Sequence, residues 1–259
     1  MPPKRRTLDD VLRTVEDVLR SNDVDHVFVG GVTVLAFGIP RTTSDVGVIA
    51  TIEARKIPKI VDGFRRFGFL ASAQDLHDAL VEGGHVTIHD TRSTYRIDLV
   101  PASTATHREA LRTGRKVQWR GRRLPFAAPE HTIVVKLRWG SEQDLEDALG
   151  IYMRQKAKLD LRTMRALARR NGVALELKDL EERVTKWTSS KPHFGMLTRL
   201  GNKKSDKRWN QILQKERFTE LSSGNKGPEE PPTKAKARRK WGSEAFLRSG
   251  EASFTENEH

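Results

Sequence analysis

With 259 residues the chain can bury one substantial core or two modest ones without disulfides or a structural metal. It contains no cysteine, which excludes a disulfide scaffold, a thiolate zinc site and a cysteine nucleophile, and fits a reducing compartment. Lysine and arginine number 47 against 34 aspartate and glutamate, a net charge of +13 that attracts phosphates and makes nucleic acid the expected large partner, with an anionic membrane surface or mere solubility as the alternative readings.

In chain order, Thr7 with Asp10 three residues on reads as a helix start, and Val11, Leu12, Val15, Val18 and Leu19 recur on one face of the helix that follows. Ser21-Asn22-Asp23 ends it. Val27 to Val29 is a short buried strand running into Gly30-Gly31, Val32 to Phe37 suits a helix stopped by Gly38-Ile39-Pro40, and Asp45 to Ala50 returns to strand character. Ile57, Ile60, Val61, Phe64 and Phe67 mark a further amphipathic helix closed by Gly68. A more polar section containing Leu76 to Val81 leads to two strands, Val86 to Ile88 and Tyr95 to Val100, across the turn-prone Asp90-Thr91-Arg92-Ser93. Lys116 to Trp119 and Leu124 to Phe126 form a hairpin pattern about Arg120-Gly121-Arg122. Beyond Pro129 the period is helical, over Glu130 to Trp139, Glu142 to Lys156, Leu161 to Asn171 and Lys178 to Trp187.

These elements predict an α/β (α+β) fold, a mixed sheet with flanking helices followed by a helical part. The expected divisions are 1–128 for the core, 129–187 for the helical extension and 188–259 for a tail. The tail is rich in Ser, Gly, Pro and Glu over 222–233 and basic over 234–240, and residues 186–259 hold 16 basic and 9 acidic residues. It is expected to be disordered with at most local helix. No apolar stretch approaches the roughly 20 residues that cross a bilayer, and Met1-Pro2-Pro3-Lys4-Arg5-Arg6 is not followed by a signal core. The expected location is cytoplasmic, away from membranes.

The most informative segment runs from Val29 to Val48. Gly30-Gly31 at a strand end lets the backbone approach a phosphate closely, and the helix behind presents free amides. Asp45 opens the next strand near the same edge. Far downstream, Tyr95-Arg96-Ile97-Asp98-Leu99-Val100 puts a second carboxylate inside an apolar strand, where an acid is costly unless it meets a cation, a donor or a site rim. Taken singly, the glycines also suit an ordinary turn and the aspartates suit caps or salt bridges.

Together, in this order and spacing, these segments resemble the nucleotidyltransferase superfamily of polymerase-beta-like fold, and within it the minimal nucleotidyltransferases and the AbiEii-like toxins. Gly30-Gly31 matches the family's glycine pair, Asp45 its first acid and Asp98 its third, and Pro40-Arg41-Thr42-Thr43-Ser44-Asp45 is similar to the toxin-like lead-in. Ala128 to Leu137, followed by Asp144-Leu145-Glu146-Asp147, resembles that branch's lysine-bearing helix and its Asp-x-x-Asp step. The resemblance covers residues 8–185. It implies transfer of a nucleoside monophosphate from an NTP to a hydroxyl, the end of an RNA such as tRNA, with Mg2+ (or Mn2+) held by Asp45 and Asp98. It also implies an antitoxin as protein partner.

In that scheme Gly30, Gly31, Thr33, Arg41 and Thr43 contact the nucleotide, Asp98 draws the acceptor proton, Lys136 neutralises phosphate charge, and Asp144 and Asp147 orient Lys136 or an arginine. The chain departs from the pattern at Gly47, where the family carries its second metal-binding acid. Glu53 is the nearest substitute in sequence. That departure supports the alternative of a catalytically impaired pseudoenzyme that binds RNA or protein through the retained fold. Arg115, Lys116, Arg120, Arg122 and Arg123 surround Trp119 in the hairpin, an arrangement suited to base stacking with backbone contacts. His85 and His89 read as surface residues, and His107 beside Arg108 as a phosphate contact.

Overall fold

The computed structural model describes residues 5–189. The tail expectation for 188–259 falls, beyond Ser189, outside the described residues.

Chain order fixes a simple scheme. Helix α1 (Leu8–Ser21) opens on a reciprocal capping box, with Asp10 N donating to the Thr7 hydroxyl and Thr7 N to the Asp10 carboxylate at 2.9 Å. Its apolar stripe, Val11, Leu12, Val15 and Leu19, is completely buried. Strand β1 (His26–Val29) follows, then α2 (Gly31–Phe37), β2 (Asp45–Ala50), α3 (Ile57–Arg66), β3 (Phe69–Leu70), α4 (Ala73–Glu82), β4 (Val86–Asp90) and β5 (Arg96–Pro101). The second part adds α5 (Ala105–Thr113), β6 (Arg115–Trp119), β7 (Arg122–Phe126) and the helices α6 (Pro129–Trp139), α7 (Glu142–Gln155), α8 (Leu161–Arg170) and α9 (Ala174–Ser189).

The seven strands form one mixed sheet in the order β3-β4-β5-β2-β1-β7-β6. β2 runs antiparallel to β1 and parallel to β5, so the centre of the sheet is where the two acid-bearing strands meet. Asp45 pairs with Arg96 and Gly47 with Asp98 in that parallel register. The hairpin over 115–126 is the far edge of this same sheet, joined through Phe28 opposite Phe126, whose rings lie 5.5 Å apart. Its two-residue tip puts both Arg120 (φ 40) and Gly121 (φ 87) in the left-handed region that tight hairpins require. Helix α2 packs against α6 and α7.

Two helices escape the sequence pattern. α4 buries only Leu76 and Ala79, and α5 only His107 and Ala110, so neither carries a stripe of large apolar residues. Both are announced instead by their caps, Ser72 accepting from Asp75 N and Thr104 from His107 N, and α4 by Gly83 at φ 72 after its last turn. α9 begins at Ala174, four residues before the pattern predicts and two after Gly172. No helix among the described residues is long and apolar enough to cross a membrane.

Candidate functional site

Gly30 ends β1 at φ 73, ψ −140, a conformation that side chains rarely adopt, and it opens α2. Gly31 is required by space, because a Cβ there would lie 2.7 Å from the Thr43 hydroxyl and 3.6 Å from an Arg41 guanidinium nitrogen. Gly30, Gly31, Arg41 and Thr43 therefore lie together, and each glycine has a structural cause independent of any ligand. Thr33 does not offer a donor outward. It is fully buried and its hydroxyl donates to the Gly30 carbonyl. The Thr43 hydroxyl is turned to the Asp45 backbone, donating to its carbonyl at 3.2 Å.

Asp45 and Asp98 do face one another across the β2–β5 register, with a cation between them. The Arg96 guanidinium forms an ion pair with Asp45 at 2.8 Å and its Nε lies 4.0 Å from Asp98. The geometry follows from strand periodicity. Arg96 and Asp98 are two residues apart on β5 and share a face, and their parallel partners Asp45 and Gly47 share it too. Asp98 is 4% exposed, and it accepts a hydrogen bond from the Thr87 hydroxyl on β4 at 2.8 Å. Asp45 is half-exposed and also accepts from Ser44.

The residues present do not fit the Mg2+ (or Mn2+) that the family resemblance implies. Hard divalent cations need oxygen donors and negative charge in excess. Here two carboxylates face one guanidinium, Gly47 contributes none, and no group of three or more His, Asp or Glu suited to an ion occurs among the described residues. Glu53 does not fill the gap, since it lies past the end of β2 and pairs with Arg55 at 2.8 Å and Lys56 at 3.3 Å. Arg96 itself is absent from the sequence-based site. Its signal was an arginine two residues before a buried acid in the same strand.

Lys136 is not a surface residue. It is 4% exposed, and its ammonium donates to Asp144 and Asp147, each at 2.9 Å. Asp147 also receives both arms of Arg41, at 2.8 and 2.9 Å. Burial pushes the Asp147 carboxyl up, but the Arg41 hydrogen bonds and the Lys136 charge outweigh it and hold the group below the usual range. The Arg41 guanidinium is raised by its bonds to Asp147. Asp144 has a second task, because it closes the capping box of α7 with Ser141. Two cations and two anions thus join the β2 lead-in to α6 and α7. Asp144 and Asp147 contact Lys136, and Asp147 also Arg41, so the Lys136 ammonium is committed to these acids rather than to an open cleft.

The hairpin differs from a stacking platform. Trp119 packs its ring 5.6 Å from Phe126 and donates its indole N–H to Asp9 at 3.0 Å, so the ring face is turned to the core and α1. Arg115 is tied to the buried Glu130 at 2.7 Å and Arg122 to Asp17 at 2.6 Å. Lys116, Arg120 and Arg123 remain exposed.

His107 is likewise no phosphate contact. It is a buried residue of α5 at 6% exposure, and burial, reinforced by the neighbouring His131, lowers its pKa to about 4. His131, also buried, is pushed down by burial. An imidazole neutral in the fold and protonated in the unfolded chain withdraws stability as pH falls from about 6.5 toward 4. Going from pH 7 to pH 5 should therefore cost about 2 kcal/mol from His107 alone. Urea unfolding of the natural chain and a His107→Phe variant at both pH values measures it, and equal pH slopes would reject the assignment.

No family model matches the chain, and no curated protein matches it. Among solved structures it is similar to the antibiotic-resistance factor ANT(2'')-Ia, at 12% identity over 68% of this chain and 96% of that one, with a TM-score of 0.44. It is similar to the lincosamide antibiotic adenylyltransferase LnuA with lincomycin bound, at 14% identity over 57% and 98%, TM-score 0.40. A third likeness is to an antigenic nucleotidyltransferase-like protein from Paracoccidioides brasiliensis, at 16% identity over 70% and 95%, TM-score 0.40. Likenesses of this strength do not identify a family.

Proposed function

We propose that this chain is a catalytically impaired nucleotidyltransferase-fold protein that acts as an RNA-binding module. One observation carries the first half: the Arg96 guanidinium stands between Asp45 and Asp98, and the strand position that would add a third carboxylate is Gly47. The resemblance in motif order, from Gly30-Gly31 through Asp45 and Asp98 to Lys136, supports descent from enzymes that use those carboxylates to hold Mg2+ against an NTP. Arg96 adds a positive charge where such a site needs a deficit of it. The net charge of +13 supports a polyanionic partner, and the likeness of the Arg41-to-Asp45 lead-in to the toxin-like branch makes RNA the first polyanion to try. An antitoxin partner follows from the same resemblance.

The competing reading is metal-dependent transfer of a nucleoside monophosphate to an RNA hydroxyl, favoured by the retention of a buried Asp98 beside Asp45. Each radiolabelled NTP, with Mg2+ or Mn2+, total RNA and the protein itself as acceptors, separates the two. The expected result is no label beyond that of an Asp45→Ala/Asp98→Ala variant. Label transferred by the natural chain and lost in the variant would establish the transferase.

A further inference from the structure

Apart from the carboxylate pair, a cleft of about 350 Å³ opens between the N-terminal arm, α1 and two turns of the sheet. Five arginines line it, Arg5, Arg6, Arg13, Arg92 and Arg122, contributed by the arm, α1, the β4–β5 turn and β7. Only two acids, Asp10 and Asp17, share the lining, and both are engaged: Asp10 in the α1 capping box, Asp17 with Arg122.

The arginines divide by burial. Arg6 is structural, reaching the buried Asp90 at 2.6 Å and lying 4.4 Å over the Phe69 ring, so it fixes the floor. Arg13 and Arg122 sit in partly exposed pairs, Arg13 with Asp9 at 2.9 Å and with the Arg120 carbonyl at 2.6 Å. Exposed pairs of this kind add little stability, so their guanidinia are available to a better anion. Arg5 and Arg92 are exposed and make no ion pair among the described residues. Two uncompensated guanidinia therefore flank two exchangeable ones, and the exposed Arg120 and Arg123 continue the positive surface along the hairpin.

We infer that this cleft binds the phosphodiester backbone of a nucleic acid. Every cation in it is arginine, whose planar fork matches a phosphate by two parallel hydrogen bonds where lysine offers a point charge. Guanidinia from four elements exceed what one phosphate group engages, which favours successive phosphates of a chain over a free anion. One aromatic residue, Phe67, 43% exposed, shares the lining while Trp119 is turned inward; with five guanidinia beside a single ring, contact is chiefly to the backbone and carries little sequence information. The inference rests on the RNA-binding half of the proposed function and is independent of Asp45, Asp98 and Gly47.

The test is binding of the full chain to a fluorescent single-stranded RNA, and to DNA of the same sequence, over a salt series. An Arg5→Ser/Arg92→Ser variant should bind roughly tenfold more weakly. Its plot of log affinity against log salt should be shallower by about 1.4, at ~0.7 per lost phosphate contact. A Lys178→Ala control on α9 should leave both unchanged, and RNA and DNA should respond alike. If RNA binds the natural chain but the double variant matches it in affinity and slope, the cleft assignment fails and the RNA-binding reading stands. If the natural chain binds neither oligonucleotide, both fail. Displacement by inorganic phosphate as effective, per phosphate, as unlabelled oligonucleotide would overturn the chain-backbone assignment in favour of a single-anion site.

Discussion

Replacing Lys136 with Met should unfold the chain more easily by about 3 kcal/mol, because removing one partner of a buried ion pair leaves the other charged and dry. Asp144 loses its direct ion-pair partner and keeps only the more distant charge of Arg41, while Asp147 keeps its Arg41 pair. For a folded region of this size the loss corresponds to a fall in Tm of roughly 6–12 °C. The double variant Lys136→Met/Asp144→Asn should recover much of it. It removes one charge of each sign, leaves the Arg41–Asp147 pair intact, and retains an amide oxygen to accept from Ser141 in the α7 cap. A lysine projecting into solvent to meet phosphate would behave differently. Its loss would stay within about 0.5 kcal/mol, and the second substitution would add nothing. Thermal or urea unfolding of the three proteins decides between a clamp and a ligand contact.

Much of the fold was legible because its larger elements carry their own period. α1, α3 and the strands β1, β2, β4 and β5 bury branched and aromatic residues at the spacing their geometry demands, and the glycine pair marks the β1–α2 turn. α4 and α5 were illegible for the opposite reason, since each covers the core with one or two small contacts and leaves the rest of its surface polar. The site divides the same way. Asp45 and Asp98 stand out as acids in apolar strands, and Arg41, Thr43 and the glycines follow from local order. What pairs with them depends on strand register and on how α7 turns back after Gly140, and neither is written in local pattern. Arg96, exposed in any alternating reading of β5, becomes the counter-ion of Asp45 only when β2 lies parallel at that register. Lys136 becomes buried only because Asp144 and Asp147 return to it from the next helix. Trp119 looks like a platform until Asp9, far away in sequence, takes its indole N–H.

The same register makes the missing carboxylate testable in a way that Gly47 alone does not. A Gly47→Asp substitution adds an acid on the face shared by Asp45, Arg96 and Asp98, so its first effect is to give Arg96 another partner. It also crowds the β1–β2 ladder, where a Cβ would stand 3.0 Å from the Val29 carbonyl oxygen and 3.1 Å from its Cγ2. The accommodation should cost about 1 kcal/mol. The single variant is therefore expected to remain metal-free and slightly less stable. Combining it with Arg96→Ser removes the guanidinium and leaves three carboxylates of like charge on adjacent strands, an arrangement that a divalent cation relieves. Mn2+ should then bind at least about tenfold more tightly than to the natural chain or either single variant, measured by calorimetry or by the loss of the free-ion spectrum. It should also stabilise the double variant by about 1.4 kcal/mol when the ion is present at about ten times its Kd. If Gly47→Asp alone gains the ion as well as the pair does, Arg96 is not what keeps the site closed. If the double variant folds and gains nothing, the carboxylates do not converge and the site is not a displaced metal centre.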